Sequence, residues 1–164
     1  MRRKDREVTD INEILKIIDA CKVCRLGLSD ENRPYIVPLN FGYSFEGNEL
    51  TLYFHSAQSG QKLDILKNNP QLCFEVDDGH ALIEGSQACD HGFAYRSVIG
   101  FGKAVIITGR DEKVRALNIL MKHQTGIERD YEYDDRHLNA VCVYKMICSS
   151  FTGKQREVPA LKTP

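Results

Sequence analysis

The sequence lacks long hydrophobic runs and an excess of charge of either sign. No run approaches the roughly 18 apolar residues of a membrane-spanning helix, and the basic start is not followed by the apolar stretch of a signal peptide. Basic and acidic residues number 22 and 23, for a net charge of −1. A balanced charge provides no field that would hold nucleic acid or an anionic membrane. We therefore expect a cytoplasmic protein without either partner.

A second well-spaced cysteine pair is also missing, although six cysteines are present. Cys21 and Cys24 form a C-x-x-C pair whose nearest companion pattern is Cys89 with His91, whereas a structural zinc site normally has two such pairs. The pair falls where a predicted helix ends and a predicted strand begins, and small apolar residues pack well there. We expect buried, reduced thiols and no metal site, with a redox role for the pair as the alternative.

The length and composition are those of one globular domain, and we predict a single domain over residues 1–164. Asp10, followed three residues later by Glu13, predicts the start of an amphipathic helix. A short helix is predicted from about Gly60 to Asn68, and a second amphipathic helix from Arg110 to about Lys122.

Six further segments show the composition and alternation of β-strands, and they span residues 25–29, 34–43, 50–55, 71–77, 94–108 and 141–150. Six strands are too few for two sandwiched sheets of full size, so the pattern favours a small antiparallel barrel with helices packed outside. Gly100 and Gly102 lie two apart in the fifth segment. Such glycines mark a bend, or a face that another backbone or a ring approaches closely.

The segment from Leu50 to Asp64 has the pattern of a phosphate-binding site. A β-type run ends at His55 and Ser56, passes through a Ser-Gly turn and opens a helix that carries Lys62. Free N–H groups at a helix N-terminus favour an anion. A lysine in the first turn opposes the helix dipole unless an anion is bound there. We therefore predict a role in phosphate binding for Ser56 and Lys62.

Five segments, in this order and spacing, resemble the pyridoxamine 5′-phosphate oxidase-like flavoproteins, and within them the nitroimidazole-resistance branch. These segments are Arg33-Pro-Tyr-Ile-Val-Pro-Leu-Asn40, Leu52-Tyr-Phe-His-Ser-Ala57, Gly60-Gln-Lys62, Asn69-Pro70 and Tyr95-Arg-Ser-Val-Ile-Gly100. The resemblance extends from about Arg3 to Lys154. It implies a mainly β fold with flanking helices, a six-stranded antiparallel split β-barrel that binds FMN, and a homodimer with flavin at the subunit interface.

The resemblance also implies which residues meet the cofactor. They are Val37, Pro38, Leu39 and Asn40 along the isoalloxazine edge, Tyr53 in the same site, and His55, Ser56, Lys62 and Ser97 towards the ribityl phosphate. Arg96 is a weaker candidate, because adjacent strand residues point to opposite faces and both Arg96 and Ser97 cannot reach one phosphate. Pro38 removes a ladder donor, which suits a strand that turns its backbone towards a ligand. The absence of tryptophan leaves as candidate ring contacts Phe41, Tyr43, Tyr95 and Phe101.

The function implied is that of an FMN-dependent oxidoreductase, which passes electrons from NADH or NADPH through FMN to a small acceptor such as a nitroaromatic. His55 is the candidate catalytic residue, because an imidazole can donate a proton near neutral pH. Vitamin B6 oxidation is not expected, since the C-terminal segment 158–164 lacks the arginine-rich substrate motif of true pyridoxamine phosphate oxidases. The alternatives are a carrier or sensor that holds flavin or haem without efficient turnover, and a deazaflavin in place of FMN.

Overall fold

The computed structural model describes residues 3–158, and within them it contains eight strands and four α-helices. The strands are β1 (Glu7–Val8), β2 (Val23–Asp30), β3 (Arg33–Asn40), β4 (Gly42–Glu46), β5 (Glu49–Ala57), β6 (Gln71–Ile83), β7 (Gly92–Ile107) and β8 (Val141–Arg156). The helices are α1 (Ile11–Ala20), α2 (Gln61–Asn68), α3 (Arg110–Thr125) and α4 (Asp135–Ala140). Most of the C-terminal segment 158–164 discussed above lies outside the described residues.

The strands form one sheet in the order β3-β2-β6-β7-β8-β5-β4, with β1 paired to β8. Antiparallel pairing joins β2 to β3 and β6, and β5 to β4 and β8. The mainly β, antiparallel class is confirmed, but the predicted count of six strands is corrected to eight. Only Phe41 separates β3 from β4, so the sequence pattern merged them, and the two residues of β1 are too few to show alternation.

Contacts divide the chain into two compact units. The first unit comprises residues up to 21, residues 76–99 and residues from 152 onward, and the second comprises residues 22–75 and 100–151. In the first unit, the carboxylate of Asp10 accepts the N–H of Asn12 at 2.8 Å and caps α1, as predicted. The same helix buries Ile14, Ile17 and Ile18. Elsewhere in this unit, the guanidinium of Arg96 donates two hydrogen bonds to the carboxylate of Asp78. The single domain over residues 1–164 stays a prediction.

The second unit is built around buried aromatic residues. Phe54, Phe74 and Tyr144 are fully buried, and the rings of Phe54 and Tyr144 stack at 5.4 Å between centroids. Gly100 confirms the expectation of close approach, because a Cβ there would clash with the Phe74 ring and lie 2.9 Å from the carbonyl oxygen of Ser150. The packing of ring and strand therefore requires a residue without a side chain.

Burial of the C-x-x-C cysteines is confirmed, with Cys21 4% and Cys24 0% exposed. Cys142 is also buried, whereas Cys89 is exposed. Within residues 3–158 no group of three or more His, Cys, Asp or Glu side chains is placed to hold a metal ion. None of the helices in this range has the length and hydrophobicity needed to cross a membrane.

Candidate functional site

The end of β5 carries His55 and Ser56 on opposite faces of the sheet. Ser56 is 9% exposed, and it shares the inner face with the fully buried Leu52 and Phe54. His55 is exposed on the other face. The Ser56 hydroxyl donates to the carbonyl oxygen of Ala57 at 2.9 Å. The structure therefore does not bring these two predicted side chains together, because the alternation that separates Arg96 from Ser97 applies to β5 as well.

The N-terminus of α2 is open. Gly60 occupies its N-cap position without a side-chain cap, at φ +140°, a conformation that favours glycine. The carbonyl of Gly60 accepts the N–H groups of Leu63 and Asp64 at 2.9 and 3.2 Å. Among the described residues, no acceptor meets the N–H groups of Gln61 and Lys62. A Cβ at Gly60 would also meet open space, so an anion can approach these donors.

Lys62 lies in the first turn of α2 and is half-buried. No hydrogen bond or ion pair joins it to another described residue. Burial raises the pKa of the Cys142 thiol, while Lys113, Lys67 and Lys62 act on it in the opposite direction. Cys142 pairs in register with Ser56, so the positive charge of Lys62 is felt near the end of β5. The ammonium group of Lys62 and the open helix donors together fit a phosphate group.

The segment that is predicted to lie along the isoalloxazine ring forms β3, an edge strand of the sheet. Val37 and Leu39 are half-buried, whereas Pro38 and Asn40 are exposed. Proline is tolerated on such edge strands, because there the missing N–H removes no central ladder bond. The backbone of β3 is paired with β2 on one side, which leaves its other edge available to a ligand.

Two predicted cofactor residues already have polar partners. The Asn40 amide donates to the carbonyl oxygen of Lys22 at 3.1 Å and to the Gln124 side chain at 3.0 Å. The Tyr53 hydroxyl lies 3.2 Å from the hydroxyl of Ser44, and the ring packs on the apolar cluster beneath α3. Asn40 therefore joins the end of β3 to the end of α3, and a ligand there would meet its backbone.

Ser97 lies half-buried in β7, within the first compact unit, and its role at the phosphate stays a prediction. Arg96, the weaker candidate, is held by Asp78 through hydrogen bonds of 3.0 and 2.7 Å. The guanidinium thus has a carboxylate partner of its own. The choice of Ser97 over Arg96 stays a prediction.

A cavity of about 230 Å³ lies beside His55. Its walls include Leu117, Leu120 and Met121 of α3 together with Tyr133. The Tyr133 hydroxyl is buried without a hydrogen-bond partner among the described residues. Sequence reasoning missed this residue, because the acidic and aromatic residues from Glu128 to Asp135 predict an exposed linking segment. The alternating tyrosines of that segment were the only signal that part of it turns inward.

Asn118 holds the segment that carries Tyr133. Its side chain accepts the Tyr131 N–H at 3.1 Å and donates to the Tyr131 carbonyl at 3.4 Å. Asn118→Ala is expected to cost about 1 kcal/mol of unfolding free energy and to speed hydrogen exchange at the Tyr131 amide. Asn118→Asp keeps the acceptor and should retain part of the protection. Equal exchange rates of the Tyr131 amide in Asn118→Ala and the wild type would contradict this role of Asn118.

The second unit also exposes a set of apolar side chains on its strands. Ile36 of β3 is 70% exposed and Phe101 of β7 is 57% exposed. Val23 and Val105 are exposed as well. Exposed large apolar side chains such as these are candidates for burial by a partner.

A family model described as pyridoxamine 5′-phosphate oxidase matches residues 10–155. Among solved structures, a candidate 5-nitroimidazole antibiotic resistance protein from Bacteroides thetaiotaomicron is 34% identical, with 91% of this chain and 86% of that chain covered at a TM-score of 0.79. A flavocytochrome from Azotobacter vinelandii is 21% identical over 99% of this chain and 75% of that chain, at a TM-score of 0.80. No curated protein matches the chain.

An FAD- and haem-binding protein from Mycobacterium smegmatis is 18% identical over 93% of this chain and 74% of that chain, at a TM-score of 0.78. The likeness to this protein and to the flavocytochrome is a likeness of fold alone. The family match and the Bacteroides structure confirm the resemblance deduced from the sequence motifs. They also confirm the split-barrel class with flanking helices.

Proposed function

The chain belongs to the pyridoxamine 5′-phosphate oxidase family, and on this basis we propose that it binds FMN with the phosphate at the start of α2. The observation that carries the proposal is the open N-terminus of α2 with the half-buried Lys62 in its first turn. The backbone N–H groups provide directed donors, and the ammonium group provides a flexible charge. Bound FMN would supply the electron-transfer chemistry, while the protein binds and orients it.

The isoalloxazine ring is proposed to lie along the open edge of β3, at Val37, Pro38, Leu39 and Asn40. A second copy of the chain is proposed to cover the exposed apolar side chains that include Ile36 and Phe101. In this homodimer the flavin would be shielded from water by both subunits. Tyr53, Ser56 and Ser97 remain proposed members of the site.

We further propose that the protein is an oxidoreductase that uses NADH or NADPH as electron donor and a small nitroaromatic as acceptor. The support is the 34% identity to a protein named for resistance to 5-nitroimidazole antibiotics. His55 is the proposed proton donor to the acceptor. It is exposed near the end of β5, and residues 58–60 connect that strand to the proposed phosphate site at the start of α2.

The absorption spectrum of the purified protein tests the cofactor. Two bands in the visible range, with FMN identified after denaturation, are expected. A sharp Soret band would instead favour the haem-binding alternative. A colourless protein that also fails to take up added FMN would overturn the proposal. If FMN is found, anaerobic assays with NADH, NADPH and a nitroimidazole test turnover.

Lys62→Ala is expected to weaken FMN binding about 10- to 100-fold, because a hydrogen bond to a charged group contributes roughly 1.5–3 kcal/mol. Quenching of FMN fluorescence on titration into the apoprotein measures the dissociation constant. Lys67→Ala is the matched control: it removes the same charge from the same helix, but from an exposed side chain 3.6 Å from Asp64. Equal losses in both variants would indicate a diffuse charge effect and no specific phosphate contact.

A further inference from the structure

The carbonyl group of Phe41 lies where β3 ends and β4 begins. Phe41 is fully buried and is the only residue between the two strands, so neither the β2–β3 ladder nor the β4–β5 ladder includes it. A buried carbonyl oxygen that lacks a hydrogen bond is unfavourable. Two neighbouring side chains near the end of α3 provide the donors, namely Nδ1 of His123 at 2.7 Å and Nε2 of Gln124 at 2.8 Å.

His123 is a buried imidazole, only 7% exposed, that the proposed flavin chemistry does not use. Its ring centroid lies 4.6 Å from that of Phe41 and 5.4 Å from that of Tyr43. A carbonyl oxygen only accepts hydrogen bonds, so Nδ1 of the imidazole carries the proton. The backbone carbonyl of His123 in turn accepts the Lys22 ammonium group at 2.5 Å. Ring packing and this second contact together direct the Nδ1–H at Phe41.

The side-chain amide of Gln124 is fully engaged at the end of β3. Its nitrogen donates to the carbonyl oxygens of Phe41 and Lys22 at 2.8 and 3.1 Å, and its oxygen accepts the Asn40 amide at 3.0 Å. The Asn40 amide also donates to the Lys22 carbonyl. Because carbonyl oxygens cannot donate, these contacts fix the orientation of both side-chain amides. The end of α3 therefore determines where the end of β3 lies.

We propose that His123 and Gln124 are positioning residues for flavin, which act through the Phe41 carbonyl and hold the end of β3 in the conformation that receives the isoalloxazine ring. The inference rests on the proposed function, in which that ring lies along Val37 to Asn40. Phe41 directly follows this segment. An edge strand has a ladder on one side only, so contacts at its end decide how rigidly it is held.

His123→Phe keeps a buried aromatic ring and removes the Nδ1–H donor. It is expected to weaken FMN binding about fivefold, the usual net effect of one hydrogen bond. His123→Asn restores a side-chain N–H and should recover most of the affinity. Gln124→Glu should also weaken FMN, because it removes the second donor to Phe41 while it keeps the acceptor for Asn40. Gln124 is half-buried, so this variant tests the same carbonyl from a more tolerant position.

Riboflavin separates this role from phosphate binding, because it has the isoalloxazine ring and the ribityl chain without the phosphate. Fluorescence quenching measures both dissociation constants. His123→Phe should weaken FMN and riboflavin by the same factor, whereas Lys62→Ala should weaken FMN alone. Circular dichroism of the bound flavin in the visible range, recorded at saturating FMN, reports the surroundings of the ring. It is expected to change in His123→Phe and to return towards the wild-type spectrum in His123→Asn.

Thr125→Ala is the matched control for damage to the end of α3. The Thr125 hydroxyl donates to the Met121 carbonyl at 2.7 Å and accepts the Ile127 N–H at 3.1 Å. Its loss loosens the same helix end and removes no bond to Phe41. Flavin affinity and the visible circular dichroism should match the wild type, although the urea midpoint falls. Equal changes in Thr125→Ala and His123→Phe would show a general loosening of the helix and overturn the inference.

Wild-type flavin affinities and visible spectra in both His123→Phe and Gln124→Glu would also overturn the inference, with the proposed function intact. So would a loss of affinity in His123→Phe that His123→Asn does not recover. Failure of the wild type to bind either FMN or riboflavin would instead overturn the proposed function, and the inference with it. The wild-type titration therefore distinguishes the two failures.

Discussion

His55→Ala is expected to slow reduction of a nitroaromatic acceptor about 100-fold at full flavin occupancy, since a positioned general acid typically contributes 10²–10⁴-fold. An imidazole N–H can donate a proton to an acceptor that gains negative charge. The side chain is exposed on β5, so its truncation should cost little stability. Stopped-flow kinetics would measure the donor and acceptor half-reactions separately.

The effect should be confined to the acceptor half-reaction. His91→Ala is the matched control. His91 is also exposed, lies in a loop and has its ring nitrogen 3.0 Å from the carbonyl oxygen of Gln87. Unchanged acceptor turnover in His55→Ala with flavin fully bound would remove His55 from the mechanism.

Gly102→Ala is expected to lower the free energy of unfolding by about 3 kcal/mol, at the upper end of the range for overpacking a core. The added Cβ would lie 2.9 Å from the carbonyl carbon and closer still to the carbonyl oxygen of Ile147, and 3.0 Å from the Cα of Cys148. These are backbone atoms, so no side-chain rotation relieves the clash. The strands β7 and β8 would have to separate locally.

Urea unfolding followed by circular dichroism measures the loss. Lys103→Ala is the control, because Lys103 is the next residue of β7 and is exposed on the opposite face. A surface change of this kind should stay within about 0.5 kcal/mol. Equal midpoints for Gly102→Ala and the wild type would show that the strands can move apart without cost.

Local patterns predicted those parts of the fold that depend on neighbours in the chain. The cap at Asp10 and the isoleucine spacing located α1, since both operate within one or two helical turns. The pair Gly100 and Gly102 indicated a close approach, because glycine in a strand interior is otherwise unfavourable. The structure then identified Phe74 and the β8 backbone as the atoms that approach.

Local patterns were less informative at the candidate site. The run from Leu50 located the end of β5 and the start of α2, but it put His55 and Ser56 together although strand alternation separates them. Asn40 stays a predicted flavin residue through its backbone, and the structure adds that its side-chain amide binds Gln124, 84 residues away. No local signal reveals a partner at that separation, because the contact exists only once β3 and α3 are in place.

By itself the sequence determined the fold class, the family and the position where α2 starts, because alternation, capping and motif order are written in consecutive residues. Only the tertiary structure decided which side chains share a face and which already have partners. It also created the cavity beside His55, whose walls come from β5, α3, the segment before α4, α4 itself and β8. A cavity is the space left between distant segments after packing, so no single segment specifies it.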